Sequence, residues 1–201
     1  NTAEATGLAP QYTNVLWNDL VRGYQTVDLG SLSDPVLIRA DGTFLYTFTS
    51  VVDDIDLAIT HVIRGEDHVT NTGVQIDLFE ALGAAPPQFA HHALLTAAGD
   101  LKMSKRSGDM ALLGQRDLEP MAIVSYVALI GTSDAIEPVR DMADLARRLD
   151  LSHVSMAAAR FDLDELRALN ARYLHATPYA EVRDRLDALG IALGDDNEGD
   201  Y

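Results

Sequence analysis

Hydrophobic and polar positions give the first half of the chain the pattern of an α/β domain. Up to about residue 100, short apolar stretches are separated by Gly, Ser, Asp and Pro, which mark turns. The stretches VLWNDLVRG and QTVDLGSLSDPVLIRADGTF predict strands and turns, and AITHVIRG predicts a strand that ends at Gly65. The stretch TFLYTFTSVV, rich in aromatic and β-branched residues, predicts one further strand.

A strand–helix–strand unit is predicted next. The periodicity predicts a helix from Thr72 to Leu82, with Asn71 as its N-cap and Gly83 at its C-terminal cap. Its apolar face consists of Val74, Leu78, Phe79 and Leu82. Pro86–Pro87 prevents the helix from continuing, and QFAHHALLT then predicts a short strand. These lengths and this order predict a parallel βαβ unit.

Beyond Gly108 the pattern changes to that of helices. Their starts are indicated by Pro120 in EPMAIVSYVALIG, Asp141 before MADLARRL, the Asp162 and Glu165 pair at capping-box spacing before LRALNARYL, and Thr177–Pro178. Gly131 and Gly190 end the first and the last of these helices. The core-facing stripe of the third consists of Leu163, Leu166, Leu169 and Tyr173. The fold class is therefore predicted to be α/β followed by α.

Composition narrows the possible functions. A chain of 201 residues holds one or two domains, and its 47% hydrophobic content supports a packed core. The absence of cysteine excludes disulfides, thiolate zinc sites and cysteine nucleophiles. The apolar runs are too short to span a bilayer, and the N-terminus carries no signal-peptide pattern. The net charge of −16 argues against broad nucleic-acid binding, but it is compatible with a partner that touches a small basic patch.

The segment LKMSKRSGD, residues 101–109, holds both lysines of the chain, Lys102 and Lys105, with Arg106 beside the second. It follows a predicted strand, and ligands of open α/β sheets bind beyond the carboxyl ends of strands. Compact ammonium groups suit a phosphate chain, and a donor that tightens on developing charge lowers a reaction barrier. The spacing alone fits a solvated basic turn equally well, but the confinement of lysine to this loop favours a functional one.

The same segment carries a family resemblance. KMSKR resembles the KMSKS signature of class I aminoacyl-tRNA synthetases. The stretch VVDDIDLAITHVIRGEDHVTNTGVQIDLFEALGAAPP before it, and FDLDELRALNARYL after it, are similar to the second half of bacterial glutamyl-tRNA synthetases. The resemblance runs from about Trp17 to Ile191, and the block from Tyr46 to Arg106 carries most of its specificity.

The resemblance implies the second half of a class I, Rossmann-like nucleotide-binding domain followed by an all-helical stem-contact domain. Residues 1–34 would be the end of an acceptor-stem-binding insertion, 35–100 the catalytic half-domain, 101–191 the signature loop with the helical domain, and 192–201 an acidic tail. Five arginines of the last third would contact the inside of the tRNA or, alternatively, lie on solvated helix faces: Arg147, Arg148, Arg160, Arg167 and Arg172.

The resemblance also implies a reaction in two steps. Glutamate and ATP give glutamyl-adenylate and pyrophosphate, and the glutamyl group then passes to the 3′ end of tRNA-Glu. The implied ligands are therefore glutamate, ATP with its Mg²⁺, and tRNA-Glu, with no zinc and no membrane. A cytoplasmic enzyme that is a monomer at full length is expected.

The resemblance assigns the site residues as follows. Lys102 and Lys105 would be catalytic, because they neutralise the ATP phosphates as pyrophosphate leaves. The ATP contacts would be Lys102, Ser104, Lys105, Glu66, Asp67, His68, Leu94 and Leu95. Arg64 would bind the substrate carboxylate through a bidentate fork, beside Tyr46 and Ser50, the latter standing where some members carry asparagine. The alternative for Arg64 is a strand-end arginine that is paired with a nearby acid.

Two other clusters resemble metal ligands, namely His91–His92 and the group Asp53, Asp54 and Asp56. No carboxylate at ligand spacing accompanies the histidines, and the resemblance makes the aspartates chiefly structural. No metal site is predicted beyond the Mg²⁺ that accompanies ATP.

Two parts of the resembled enzymes are missing from the sequence: the N-terminal half-sheet with its His-x-Gly-His signature, and the C-terminal anticodon-binding domain. The chain is therefore expected to be a fragment that is inactive by itself. The alternatives are a non-discriminating or tRNA-Gln-charging paralogue, and a non-catalytic module that binds RNA or protein. A queuosine-specific relative is disfavoured by the long helical run to residue 190, and the two lysines argue against a decayed site.

Overall fold

The computed structural model describes residues 14–96 and 117–191. Within these residues the chain forms two compact units. The first comprises residues 14–96, 131–133 and 150–160, and the second comprises residues 117–130, 134–149 and 161–191. No helix in the described part of the chain is both long and apolar enough to cross a bilayer.

The first unit begins with an antiparallel hairpin of β1 (Asn14–Asp19) and β2 (Gly23–Asp28), as the early apolar stretches predict. Gly23 has a φ of 68°, which an L-residue with a side chain rarely adopts, so glycine suits this tight turn. Past the end of β1, the Leu20 N–H donates a hydrogen bond of 2.9 Å to the carbonyl of Phe89, which brings the hairpin against the parallel sheet.

The predicted parallel βαβ unit is confirmed. Strand β3 (His61–Gly65) pairs in parallel with β4 (Gln88–His92). Their register places Arg64 opposite His91, so the two side chains lie on the same face of the sheet. The carboxyl ends of both strands meet at one edge, where the residues that follow Gly65 and His92 come together.

The helix between these strands differs from the prediction at its start. It runs from Val69 to Ala81, here called α2, and a 3-10 turn at Glu66–His68 leads into it directly from β3. Asn71 is therefore not the N-cap but lies in the first turn, where its Nδ2 is 3.2 Å from His68 Nδ1. At the other end Gly83 has a φ of 74°, as its predicted capping role requires.

The strand predicted for TFLYTFTSVV is wrong, because most of this stretch lies in helix α1 (Tyr46–Asp56). β-Branched and aromatic residues favour strands only weakly, and burial against other elements overrides that preference. Here Val51 is fully buried in a core with Ile76, Phe79 and Phe89.

The regular elements described in the second unit are helices α3 (Pro120–Leu129), α4 (Met142–Arg148), α5 (Leu163–His175) and α6 (Tyr179–Ala188). Pro120 lies in the first turn of α3, and the side chain of Asp141 caps α4, both as predicted. The predicted stripe of α5 is also confirmed: Leu166, Leu169 and Tyr173 are buried, and Leu163 packs against the same core.

The predicted capping box of α5 is only half formed. Asp162 caps the helix by accepting from the N–H groups of Asp164 and Glu165. In a full capping box the Glu165 side chain would accept the N–H of Asp162. Here Tyr126 of α3 stands between them: its Oη accepts the Asp162 N–H at 3.0 Å and donates to Glu165 Oε2 at 3.0 Å. Burial raises the pKa of Tyr126 to about 12, so the hydroxyl keeps the proton that it donates.

Candidate functional site

Arg64 is the centre of a polar network on the face shared by β3 and β4. Its Nη1 donates to Tyr46 Oη at 3.1 Å, and its Nε donates to His91 Nε2 at 3.3 Å. Its Nη2 donates to Thr72 Oγ1 at 2.5 Å and to Gln75 Oε1 at 2.6 Å. The guanidinium is thus held by side chains from α1, α2 and β4.

Helix α1 supplies two of the predicted substrate-binding residues. Tyr46 and Ser50 are four residues apart, so they lie on one helix face, within reach of the same partners. Tyr46 contacts Arg64 directly, whereas Ser50 Oγ accepts from Gln75 Nε2 at 2.7 Å. Gln75 therefore links Ser50 to Arg64, and the three predicted residues converge on one place.

The partners of Arg64 among the described residues are all neutral. No described carboxylate lies within ion-pair distance of its guanidinium, so the predicted alternative of a paired strand-end arginine does not describe this geometry. The carboxylate of Asp54 senses the charge of Arg64: burial raises the pKa of Asp54, and the charge of Arg64 opposes that rise. The ring of Phe89 lies 5.7 Å from the guanidinium carbon, which adds a cation–π contact.

The ligand that this arrangement can accept is an anion. A guanidinium has five N–H groups, and four of those on Arg64 donate to described residues, which leaves one on Nη1. Tyr46 Oη accepts from Arg64, so its own hydrogen is free to point at the same ligand oxygen or its neighbour. A carboxylate would therefore be held by Arg64 Nη1 and the Tyr46 hydroxyl together, instead of by both arms of the guanidinium fork.

Behind Arg64 lies a buried acid–histidine pair that the sequence analysis did not single out. Asp19 Oδ2 is 2.5 Å from His91 Nδ1, and both side chains are fully buried. Burial raises the pKa of Asp19, but the hydrogen bonds from His91 and from three backbone N–H groups outweigh it and keep that pKa below its ordinary value. Burial lowers the pKa of His91 and, with the charge of Arg64, outweighs the hydrogen bond and the charge of Asp19, which raise it. The pair therefore consists of a carboxylate and a neutral imidazole.

The predicted nucleotide contacts lie at the carboxyl ends of β3 and β4. Glu66 Oε2 already accepts from Arg22 Nη1 at 2.7 Å, and His68 stands edge-on to the Tyr46 ring at 5.9 Å. Asp67 and Leu94 approach Gly65 so closely that a Cβ there would lie 2.7 Å from Asp67 Oδ1 and 2.8 Å from Leu94 Cδ2. Leu95 is half-buried beside Leu94. The absence of a side chain at Gly65 is what lets these groups converge.

The basic segment predicted to act on the ATP phosphates is residues 101–109. Lys102, Ser104 and Lys105 lie outside the described residues. Their assigned roles therefore stay predictions.

The two clusters that resemble metal ligands lie on different elements, the aspartates on α1 and the histidines on β4. His91 points inward to Asp19, whereas His92, the next residue of the strand, is exposed and bonds its Nδ1 to the Ala93 carbonyl. In residues 14–96 and 117–191 no group of three or more His, Asp or Glu side chains is arranged to hold a metal ion.

The arginines predicted to contact tRNA make local interactions on the surface. Arg147 and Arg148 pair with Asp144, and Arg167 pairs with Asp164. Arg172 donates to the carbonyl of Ile136, and Arg160 forms a backbone bridge to Thr96. Exposed ion pairs contribute little to stability, so the side chains of Arg147, Arg148 and Arg167 can exchange partners at small cost.

Comparison with known proteins agrees with this picture. Residues 8–168 match the family model described as "tRNA synthetases class I (E and Q), catalytic domain". Glutamate–tRNA ligase 1 of Brucella ovis and glutamate–tRNA ligase 2 of Brucella melitensis are each 54% identical over 190 residues, which is 94% of this chain. The chain spans 42% of the length of these relatives.

Solved structures give the same result. A glutamate tRNA ligase from Elizabethkingia meningosepticum, crystallised in complex with its amino acid, superposes with a TM-score of 0.75 at 29% identity, over 94% of this chain and 42% of that one. The glutamate-tRNA synthetase of Elizabethkingia anophelis gives a TM-score of 0.72 at 29% identity, over 94% of this chain and 43% of that one. The family match covers most of the chain and includes the βαβ unit that carries Arg64; the chain therefore belongs to the class I tRNA synthetases for glutamate and glutamine, within their catalytic domain.

Proposed function

We propose that this chain is part of a glutamate–tRNA ligase and that it supplies the glutamate pocket and one side of the ATP site. The enzyme would activate glutamate with ATP to glutamyl-adenylate and transfer the glutamyl group to the 3′ end of tRNA-Glu in the cytoplasm. The relatives at 54% identity support the choice of glutamate.

One observation carries the proposal: Arg64 is fixed by four neutral acceptors and has no carboxylate partner among the described residues. A positive charge held in this way is ready for an external anion. The free Nη1 hydrogen and the Tyr46 hydroxyl would bind a carboxylate of glutamate. Glutamine presents an amide with one donor group at its side-chain end, so a site built from donors favours the carboxylate at that position.

The nucleotide would lie beyond Gly65, where Glu66, Asp67, His68, Leu94 and Leu95 follow the ends of two parallel strands. This is the edge at which ligands of open α/β sheets bind. Lys102 and Lys105, with Ser104, would act on the phosphates and stabilise the pyrophosphate that leaves. Mg²⁺ would arrive with ATP and balance phosphate charge, while these side chains bind and orient the nucleotide.

The helical second unit would contact the tRNA. We assign it the stem-contact role because it carries exposed arginines whose local pairs are weak. The first residues of the chain would end the insertion that holds the acceptor stem.

The test is glutamate-dependent exchange of pyrophosphate into ATP, followed by charging, with the complete enzyme that contains this chain and with purified tRNA-Glu and tRNA-Gln. We expect exchange with glutamate in the presence of tRNA, none with glutamine, and charging of tRNA-Glu. Charging of tRNA-Gln as well would mark a non-discriminating enzyme. Binding of tRNA without exchange would contradict the proposal and support a non-catalytic module.

The role of the basic loop has a separate test. Lys102→Ala and Lys105→Ala should each lower kcat for activation by roughly a hundredfold, with a modest effect on tRNA affinity, since they act on transition-state charge. An equal loss of tRNA binding would contradict this role.

The 201-residue chain alone is proposed to be inactive, because the half-sheet with the His-x-Gly-His signature is not in its sequence. Glutamate-dependent exchange by the bare chain would contradict that statement.

A further inference from the structure

We propose that Asp19 fixes the tautomer of His91, and that His91 in turn holds Arg64 in the orientation that leaves one Nη1 hydrogen for the substrate. Asp19 and His91 would be positioning residues, since neither needs to touch glutamate. The inference deepens the proposed function and rests on it for the identity of the ligand.

The first step is the fixed position of Asp19. Its Oδ1 accepts from the backbone N–H groups of Val21 and Arg22, which closes the hairpin turn, and from the N–H of His91 at 3.0 Å. Its Oδ2 faces His91 Nδ1. Both side chains are fully buried, so no water competes for these contacts. The carboxylate therefore cannot turn away from the imidazole without breaking backbone hydrogen bonds.

The second step is the placement of one proton. An ionised carboxylate only accepts hydrogen bonds, so His91 Nδ1 must carry a hydrogen. A neutral imidazole has one hydrogen, so Nε2 must be an acceptor. The groups around Nε2 agree with this: Arg64 Nε is 3.3 Å away and can only donate, and Thr72 Oγ1 is 2.9 Å away and can do either.

The third step is the effect on Arg64. Nε is held by His91, and both hydrogens of Nη2 are held by Thr72 and Gln75. Contacts at Nε and Nη2 together fix the plane of the guanidinium, and the remaining nitrogen, Nη1, is the one that faces Tyr46. If Nε2 became a donor, it would oppose the Nε hydrogen, and the guanidinium would have to turn.

Asp19→Asn tests the contacts from Asp19 through His91 to Arg64, because asparagine has almost the same size and shape as aspartate. The asparagine Oδ1 can keep the three backbone hydrogen bonds, but its Nδ2 is a donor and faces His91 Nδ1. The imidazole must then accept at Nδ1 and carry its hydrogen on Nε2, against Arg64. The matched control is Asp41→Asn, because Asp41 also accepts from a backbone N–H two residues on, at 2.9 Å, but is exposed and has no histidine beside it.

The measurement has two independent readouts on the complete enzyme. With ¹⁵N-labelled histidine, the NMR spectrum should place the hydrogen of His91 on Nδ1 in the parent enzyme and on Nε2 in Asp19→Asn. The KM for glutamate should rise roughly tenfold to a hundredfold, because a hydrogen bond to a charged group is lost, while kcat changes less. Asp41→Asn should change neither quantity.

Two results would overturn the inference: an unchanged tautomer in Asp19→Asn, or a reversed tautomer with an unchanged KM for glutamate. If the parent enzyme does not use glutamate, the proposed function fails, but the Arg64 Nε–H resonance of enzyme labelled with ¹⁵N-arginine still decides the positioning. It should shift in Asp19→Asn and stay in place in Asp41→Asn.

A second pair of variants covers the case in which Asp19→Asn does not fold. The amide of His91→Gln can reach the position of Nε2 and present an acceptor to Arg64, whereas the amide of His91→Asn reaches only the position of Nδ1. His91→Gln should therefore keep a lower KM for glutamate than His91→Asn. Equal values for the two variants would contradict the role of Nε2.

Discussion

Arg64 in the first unit and Arg140 in the second are both anchored by several hydrogen bonds and packed on an aromatic ring, but within residues 14–96 and 117–191 only Arg140 has a counter-ion. Arg140 donates to the Tyr173 carbonyl and to Thr177 Oγ1, and its guanidinium carbon lies 4.7 Å from the centre of the Tyr173 ring. Its Nη2 is 2.7 Å from Glu181 Oε2, with which it forms an ion pair. Arg64 has the same kind of anchors without the acid. The difference separates a cation that joins two helices from one that is left available for a ligand.

The largest effect is expected from removal of the available cation. Arg64→Gln should raise the KM for glutamate about a hundredfold, because a charge-assisted contact to the substrate carboxylate is lost. Glutamate-dependent pyrophosphate exchange measures it. Arg140→Gln is the control and should leave this KM unchanged; a similar rise in both variants would remove the distinction between the two arginines.

A smaller effect, on stability instead of substrate, is expected from the paired cation. Arg140→Gln should lower the free energy of unfolding by about 1–2 kcal/mol, since it removes hydrogen bonds to a charged donor and a cation–π contact, while the half-exposed ion pair itself adds little. Thermal and urea unfolding measure it. No loss of stability would mean that Glu181 and Thr177 are satisfied equally well by water.

Two tyrosines sharpen the same comparison. Tyr126→Phe should cost about 1 kcal/mol of unfolding free energy, because Asp162 N–H and Glu165 lose the hydroxyl that joins them. Tyr46→Phe should cost almost no stability, since Tyr46 is 53% exposed, but should raise the KM for glutamate several-fold. Tyr24→Phe, at a residue 72% exposed, is the control for both. A larger loss of stability in Tyr46→Phe than in Tyr126→Phe would reverse the assignment.

The smallest effect concerns pH. The groups that face His91 are Asp19 from β1, Arg64 from β3, His68 from the 3-10 turn and the neutral Thr72 from α2. Burial holds the pKa of His91 below its value in the unfolded chain, so below about pH 6.5 the unfolded state binds a proton that the folded state does not. Stability should therefore be fully present above that pH and decline as the pH falls.

The lowered pKa of Asp19 adds a second decline below about pH 4, with the same sign. His91→Gln should flatten the dependence of the unfolding free energy on pH between pH 7 and 5, which spans the ordinary histidine pKa of about 6.5. His61→Gln, at an exposed histidine, is the control. An unchanged slope in His91→Gln would mean that another group dominates the titration.

The parts of the fold that sequence alone predicted are those with local signals. A cap such as Asp141 or a chain-stopping glycine such as Gly83 acts within one turn of its own position. Helix α1 was missed because its aromatic and β-branched residues fit a strand pattern, and only packing of Val51 against the core decides between the two. The error matters for the site, since in a strand Tyr46 and Ser50 would lie about 13 Å apart along the chain instead of one turn apart.

Sequence predicted the residues of the candidate site that belong to a family motif, but not those that only long-range contacts bring together. Arg64, Tyr46 and Ser50 were found through the family motif, and the structure brings them together. Asp19 and His91 are 72 residues apart, so no local pattern joins them. Gln75 and Thr72 are buried positions of α2, but the sequence pattern of that helix indicates only its apolar residues as the inward face. Long-range polar contacts of this kind become visible only when the sheet register and the helix faces are known.

Arg64, which has no counter-ion in the part of the chain that the structure describes, has a thermodynamic consequence if it binds a carboxylate as proposed. A complete enzyme that binds glutamate only when folded should melt at a higher temperature as glutamate is added, by an amount that grows with the logarithm of the concentration. Other small dicarboxylates should produce a weaker form of the same protection, and buffers that contain citrate or acetate should compete with the substrate. The choice of anion in the solution is therefore part of any binding measurement on this protein.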